Sequence, residues 1–269
     1  MRYDDELWRS GRAEPEEEMV GLDGRLQIFC LPHAGGNTVH FHAWSQWLPG
    51  RIQAVPIDLP GHGTRLREPL IGEWQLLVDD LTRAIHQKVD GPFVLFGHSL
   101  GALLAYEVCR ALEGRGRPPA LLVAAGRNGP SAGLSHRPIH ALPDAHFLAA
   151  LRRLGGTPEG VLHQPELLQM FLPVLRTDLR LAELYAREPG PPLACPVLAF
   201  SGRRDRMTDD GGMLAWKRET TGTCEIAFVE GGHFFLEERE FTEALAARLT
   251  RLRVRADQRA GRVAVTVRP

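Results

Sequence analysis

Short apolar runs alternate with amphipathic stretches along most of the chain. Six of the runs are short and are bounded by glycine, proline or aspartate. They are apolar or rich in residues that favour strands, which is typical of strands in a mostly parallel sheet. The alternation predicts an α/β fold in which helices flank a mostly parallel central sheet. The predicted strands are residues 26–31, 53–57, 93–96, 121–125, 197–201 and 225–229, and the predicted helices are residues 74–89, 102–112 and 237–252.

One segment, residues 128–191, breaks this alternation because it separates two predicted strands by far more than an ordinary connection. It contains helical patterns at residues 145–154 and 165–187. We interpret it as a helical lid inserted over an active site, and we expect it to be mobile and to define the substrate.

The lid divides the predicted core into two parts, residues 25–127 and residues 192–254. Residues 1–24 are charged and read as a loosely held N-terminal extension. Residues 255–269 form an arginine-rich tail. Within it, residues 263–267 have an alternating pattern, which predicts either an edge strand or part of a disordered tail.

The composition limits the class of protein but does not indicate which reaction it catalyses. The 269 residues are 43% hydrophobic and 24% charged, with a formal net charge of -1, so the chain can bury a substantial core as one domain with an insertion. Arginine supplies most of the positive charge and is spread among balancing acids, which argues against a nucleic-acid surface. No leader-like or bilayer-spanning apolar stretch is visible, so we expect a cytoplasmic protein.

The four cysteines show no paired spacing: Cys30, Cys109, Cys195 and Cys224. Three of them lie in or beside apolar runs. We expect buried free thiols in a reducing compartment rather than disulfides or a metal site. His40 and His42 are one residue apart, but no third ligand is suitably spaced, so we expect no metal.

A candidate nucleophile lies in Gly97-His98-Ser99-Leu100-Gly101, between a predicted strand and a predicted helix. This context predicts a nucleophile elbow, in which small neighbours allow a sharp turn that exposes the Ser99 hydroxyl. Serine needs a base, and in this fold the chain order is serine, acid, histidine. His233 follows the last predicted strand in a glycine-rich loop and is the predicted base.

The acid that orients His233 is expected in a loop at the carboxyl end of a nearby strand. The loop after residues 121–125 has no carboxylate, whereas the loop after residues 197–201 contains Asp205. Asp205 is therefore the predicted acid, with Asp209 and Asp210 as alternatives.

A tetrahedral intermediate needs two backbone N–H donors. Leu100 supplies one by its position at the start of the helix after Ser99. The other is expected from the glycine-rich turn at residues 31–37, where Ala34 is the predicted donor and a neighbouring N–H is the alternative.

Candidate substrate contacts are less specific. His33 and His98 flank the chemistry and shape the loops or contact substrate. Phe171, Leu172 and Leu175 recur at helical spacing in the lid, so they either pack on the core or line an acyl pocket.

Five segments together carry a family resemblance: residues 29–36, 58–65, 97–101, 201–205 and 231–235. From about residue 27 to residue 252 the chain resembles the type II thioesterases of polyketide and nonribosomal peptide biosynthesis, which have the α/β-hydrolase fold. Residues 176–178 in the lid also resemble a family segment. His62 departs from the pattern, because many relatives have arginine there.

The resemblance implies an editing enzyme that hydrolyses acyl groups stalled on the phosphopantetheine arm of acyl or peptidyl carrier proteins, without a cofactor of its own. We expect a monomer. One alternative is a serine esterase or lipase acting on small oxygen esters, which would use the same three side chains. A second alternative, from a different class, is a carrier-binding module that has lost catalysis.

Overall fold

The computed structural model describes residues 25–155, 164–256 and 263–266, and six strands form its main sheet. The strands are β1 (Leu26–Leu31), β2 (Ile52–Pro56), β3 (Phe93–His98), β4 (Leu121–Ala125), β5 (Val197–Gly202) and β6 (Cys224–Val229). All neighbours are parallel, in the order β2-β1-β3-β4-β5-β6. The predicted strands are confirmed, with small differences at their ends.

Helices occupy most of the connections between these strands. They are α1 (Trp44–Trp47), α2 (Trp74–His86), α3 (Leu100–Gly114), α4 (Asp144–Leu154), α5 (Pro165–Leu184), α6 (Asp210–Leu214) and α7 (Arg239–Arg251). Helix α2 ends at His86, before the predicted residue 89, and the Lys88 N–H bonds to the Ile85 carbonyl in a tighter turn that leads towards β3. Helix α5 ends at Leu184, before the predicted residue 187, because the backbone of Tyr185, with a φ of -57° and a ψ of 128°, leaves the helical region. The other predicted helices are present, with small differences at their ends.

Both faces of the sheet are covered, which explains why the strands are apolar at successive positions. Leu95 points to the face packed by α2 and α3, whereas Val94 and Phe96 point to the face packed by α1 and α7. Parallel strands all end at the same edge of a sheet, so the loops that follow β1, β3, β5 and β6 meet there.

The segment predicted as a lid contains α4 and α5, on either side of residues that lie outside the described ranges. The predicted N-terminal extension, residues 1–24, also lies outside them. Near the C-terminus, Arg253–Ala256 pairs antiparallel with Val263–Thr266 in a two-stranded sheet separate from the main one. Within the described ranges, the structure contains no helix both long and apolar enough to cross a bilayer.

Candidate active site

Ser99 lies between β3 and α3 in a strained turn. Its φ of 56° and ψ of -113° belong to a region that L-residues rarely adopt, and in the described part of the chain it is the one non-glycine residue with positive φ. A side chain at Gly97 would overlap the Gly101 carbonyl, and one at Gly101 would overlap the Leu31 carbonyl. The two glycines therefore allow the turn to close around Ser99.

The side chains of His233 and Asp205 are in contact, as predicted from their positions after neighbouring strands. The loop after β6 carries His233 and the loop after β5 carries Asp205, and the His233 Nδ1–Asp205 Oδ2 distance is 2.9 Å. The Asp205 side chain has no exposed surface, and its Oδ1 accepts the Met207 N–H at 2.8 Å. Because a carboxylate accepts, Nδ1 of a neutral His233 donates, which leaves Nε2 as a proton acceptor.

Asp209 and Asp210, the alternative acids, are placed differently. Asp209 caps α6, since its Oδ1 accepts the Gly212 N–H at 2.8 Å and its Oδ2 accepts from Asn128 at 3.1 Å. Asp210 is exposed in the first turn of that helix. The geometry therefore favours Asp205 as the partner of His233.

Two backbone N–H groups near Ser99 are available to a ligand. Those of Ala34 and Leu100 have no hydrogen-bond acceptor among the residues that the structure describes. Leu100 is the first residue of α3, where the helix dipole favours negative charge, and Ala34 lies on the wall of a cavity next to Ser99. Such a pair can stabilise an oxyanion that forms on a carbonyl attacked by Ser99.

The cavity has a volume of about 310 Å³, and its lining is mostly apolar. Ser99 and His233 both line it, together with His33, Phe171 and Leu175 of the predicted substrate contacts. His98 and Leu172 are not part of the wall. The wall also includes side chains that were not predicted as substrate contacts, among them Val39, His40, Leu151, Leu154, Met207 and Phe234.

Leu172 lies off the cavity wall because it follows Phe171 by one position, which turns its side chain about 100° around α5. It packs against the cluster that Phe147 and Leu151 of α4 form with Leu175, and so supports the wall from behind. The helical spacing of Phe171 and Leu175 indicated the correct face. For Phe234, the sequence signal that could have indicated a place in the wall is its position next to His233.

His98 holds the loop that carries His233. Its Nε2 donates to the His233 carbonyl at 2.8 Å, so Nδ1 of a neutral ring carries no proton. Within the described ranges, Nδ1 has no hydrogen-bond partner. Burial, and after it the charges of His233 and His33, lower the pKa of His98 well below its usual range. Burial, followed by the charges of His40 and His233, lowers the pKa of His33 to about 3.

The loop that carries Ala34 is fixed to helix α5. The Gly35 N–H donates to Asp178 Oδ2 at 2.7 Å, and the same oxygen lies 2.8 Å from Nε2 of His62. Gly35 has a φ of 72°, and a side chain there would overlap Leu175. Since 116 residues separate His62 from Asp178, no local sequence signal connects them.

The last turns of helix α5 are also held, by the loop before α4 and by helix α2 of the core. Buried Glu183 accepts hydrogen bonds from the Ile139 N–H at 2.9 Å and from the His140 N–H at 3.0 Å and Nδ1 at 2.6 Å. The Trp74 indole donates to the Leu181 carbonyl at 3.0 Å. Helix α5 is therefore a packed wall of the cavity, whereas mobility of the lid stays a prediction.

The four cysteines are free, and all but the half-buried Cys224 are buried, as predicted. The sulfur atoms of Cys109 and Cys195 lie 3.3 Å apart, and the Glu113 carboxylate lies within 4.8 Å of both. That carboxylate accepts the N–H groups of Ala194 and Cys195. No local pattern indicates this cluster, because 86 residues separate the two thiols.

Comparison with known proteins identifies the family. The thioesterase domain family matches residues 26–252. Thioesterase PikA5 of Streptomyces venezuelae is 38% identical over 216 residues, which cover 80% of this chain and 76% of PikA5.

Two solved structures are also similar. RedJ, a thioesterase from the prodiginine biosynthetic pathway in Streptomyces coelicolor, is 35% identical, with a TM-score of 0.76 over 90% of this chain and 91% of RedJ. The type II thioesterase BorB from the borrelidin biosynthetic cluster is 36% identical, with a TM-score of 0.75 over 84% of this chain and 91% of BorB. The predicted α/β-hydrolase fold is confirmed, and this chain belongs to the thioesterase family.

Proposed function

We propose that this chain is a type II, editing thioesterase, which hydrolyses stalled acyl groups from the phosphopantetheine arm of acyl or peptidyl carrier proteins in polyketide or nonribosomal peptide synthesis. The observation that carries the proposal is the location of Ser99 and the His233–Asp205 pair at one apolar cavity. The biosynthetic pathways of RedJ and BorB support the substrate class.

The reaction begins when Ser99 Oγ attacks the thioester carbonyl and its proton passes to His233 Nε2. The carbonyl oxygen becomes an oxyanion, which accepts hydrogen bonds from the Ala34 and Leu100 N–H groups. Asp205 stabilises the imidazolium that His233 becomes. The C–S bond then breaks, the pantetheine thiolate takes the proton from His233, and the acyl group stays on Ser99.

Deacylation repeats these steps with water. His233 removes a proton from water, the hydroxide attacks the acyl ester, and Ser99 regains its proton as the carboxylic acid leaves. The chain's own side chains and N–H groups supply every step, so we propose that the enzyme needs no cofactor or metal. The substrate carries the phosphopantetheine.

The cavity supports an acyl group as the part of the substrate that enters. Leu151 and Leu154 of α4 and Phe171, Leu175 and Leu179 of α5 line it, and burying an acyl chain against them is favourable at roughly 25 cal/mol per Å². We propose that the carrier protein stays outside this wall. The free thiols support a reducing compartment, which we take to be the cytoplasm, and we propose a monomer.

Intact-mass spectrometry of a propionyl-loaded carrier protein tests the proposal. Wild-type enzyme is expected to convert the loaded carrier to its bare phosphopantetheine form, whereas Ser99→Ala leaves the propionyl group in place. Ser45→Ala, which changes an exposed serine on α1, is the matched control and retains activity. A carrier that keeps its acyl group while wild type cleaves a small oxygen ester would replace the proposal with an esterase. A carrier and an ester that both survive would replace it with a non-catalytic binding module.

A further inference from the structure

The buried imidazole of His62 faces a hydrogen-bond acceptor at each ring nitrogen. Its Nδ1 lies 3.0 Å from the Pro60 carbonyl oxygen, and its Nε2 lies 2.8 Å from Asp178 Oδ2. A neutral imidazole has one N–H and one lone pair, so it can satisfy only one of these acceptors. An imidazolium satisfies both.

The Asp178 carboxylate connects His62 to the loop that carries Ala34 and Gly35, which we call the oxyanion loop. Asp178 lies on α5 with 2% of its surface exposed, and its Oδ2 accepts from both His62 and the Gly35 N–H. Gly35 directly follows Ala34, the proposed oxyanion donor. A buried carboxylate that lost its positive partner would be costly, so His62 stabilises the charge that holds Gly35.

The other charges near His62 act in the same direction. Among the described residues these are Asp178 on α5 and Asp58 in the loop after β2. Burial disfavours the charged ring, but the hydrogen bond and charge of Asp178, with the Pro60 carbonyl and Asp58, outweigh it and raise the pKa of His62 above its usual 6.5.

We propose that His62, held as an imidazolium, is a positioning residue for the hydrolysis proposed above, because it keeps Asp178 in place against Gly35 and so sets the Ala34 N–H of the oxyanion hole. The inference rests on that proposed function. When His62 loses its proton at alkaline pH, one ring nitrogen is left with a lone pair facing an acceptor, and Asp178 loses its positive partner, so the anchor of the loop weakens. Turnover then falls through kcat, since the oxyanion forms only after the substrate has bound.

Nitrogen NMR of the wild-type protein labelled with 15N-histidine tests the charge directly. The His62 signals, assigned by their absence in His62→Gln or in His62→Arg, are expected to be those of an imidazolium at pH 7. They should titrate above pH 6.5, the usual value for histidine. His86, which is exposed on α2, supplies the control variant. A neutral His62 at pH 7 in an active enzyme would overturn the inference.

Kinetics against pH test the positioning role. His62→Gln keeps a neutral donor, so we expect kcat at pH 6.5 to fall by about five- to tenfold with a smaller change in KM, and the alkaline decline to disappear. His62→Arg supplies a cation that does not titrate below about pH 12 and should extend activity to higher pH. His86→Gln is the control and leaves the profile unchanged.

The outcomes separate this inference from the function on which it rests. If wild type hydrolyses the loaded carrier but His62→Gln has the wild-type pH profile, His62 does not position the oxyanion loop. If wild type hydrolyses no thioester while His62 is an imidazolium, the proposed function fails and the buried ion pair stands as a structural contact.

Discussion

The backbone at Ser99 is held in a conformation that costs on the order of 1–3 kcal/mol. The Ser99 N–H donates to the Ala125 carbonyl at 2.8 Å, and the Ala102 N–H donates to the Ser99 carbonyl at 3.0 Å, so β4 and α3 both fix the turn. The strain is concentrated at the residue that bears the proposed chemistry. The surrounding fold stabilises a nucleophile that points out of the sheet.

A second constrained residue, Gly35, gives a prediction at the residue scale. In Gly35→Ala the new methyl group would meet Leu175 at a φ of 72°, so we expect a loss of about 1–3 kcal/mol of unfolding free energy and a lower kcat. Chemical denaturation and steady-state kinetics measure both. Gly50→Ala is the matched control, because a side chain at that exposed glycine would contact nothing within 4 Å. Equal stability of the two variants would contradict the account.

Individual residues differ in how far the sequence predicts them. Ser99, Asp205 and His233 could be proposed because each lies in a short motif directly after a strand, where chain order and strand ends determine position. The contact between His62 and Asp178 could not be proposed, because it depends on how α5 packs against the loop after β2.

At the scale of elements, the strands were the easiest to predict. Parallel strands covered on both faces are nearly continuous apolar runs, and glycine or proline marks their ends. The path of the lid segment was not predictable in the same way. Its helices show an apolar face, but hydrogen bonds from distant residues, such as Trp74 to the Leu181 carbonyl, place α5 on the core.

Glu183 gives a prediction about how α5 holds the loop before α4. Glu183→Ala leaves the N–H groups of Ile139 and His140 without their acceptor, so we expect a loss of at least about 2 kcal/mol of unfolding free energy. Hydrogen exchange should also become faster in residues 136–142. Glu166→Ala, an exposed change in the first turn of α5, is the control. Unchanged exchange in Glu183→Ala would indicate that other contacts hold the segment.

At the scale of the whole molecule, buried histidines make stability depend on pH. The pKa of His33 is about 3 in the fold, below the 6.5 of an unfolded chain, so the unfolded chain binds protons more readily. Stability from the neutral ring is therefore complete above pH 6.5 and is lost as pH falls towards 3. From pH 7 to pH 5 this residue alone should remove about 2 kcal/mol.

Urea denaturation of wild type and His33→Asn at pH 7 and pH 5 measures this effect. Wild type should lose more unfolding free energy than the variant over that interval, and His86→Gln should behave as wild type. Parallel losses in wild type and His33→Asn would show that His33 takes up no additional proton on unfolding. His62 acts in the opposite sense: its raised pKa stabilises the fold below pH 6.5, and this contribution disappears as pH rises through the folded value.

The whole arrangement predicts one covalent intermediate, an acyl group on Ser99. Rapid acid quenching during turnover of an acyl-loaded carrier, followed by peptide mass spectrometry, tests it most directly. Wild type should carry the acyl mass on the peptide that contains Ser99, and folded Ser99→Ala should carry none and release no acid. An acyl group on another residue, or continued turnover by Ser99→Ala, would contradict the account.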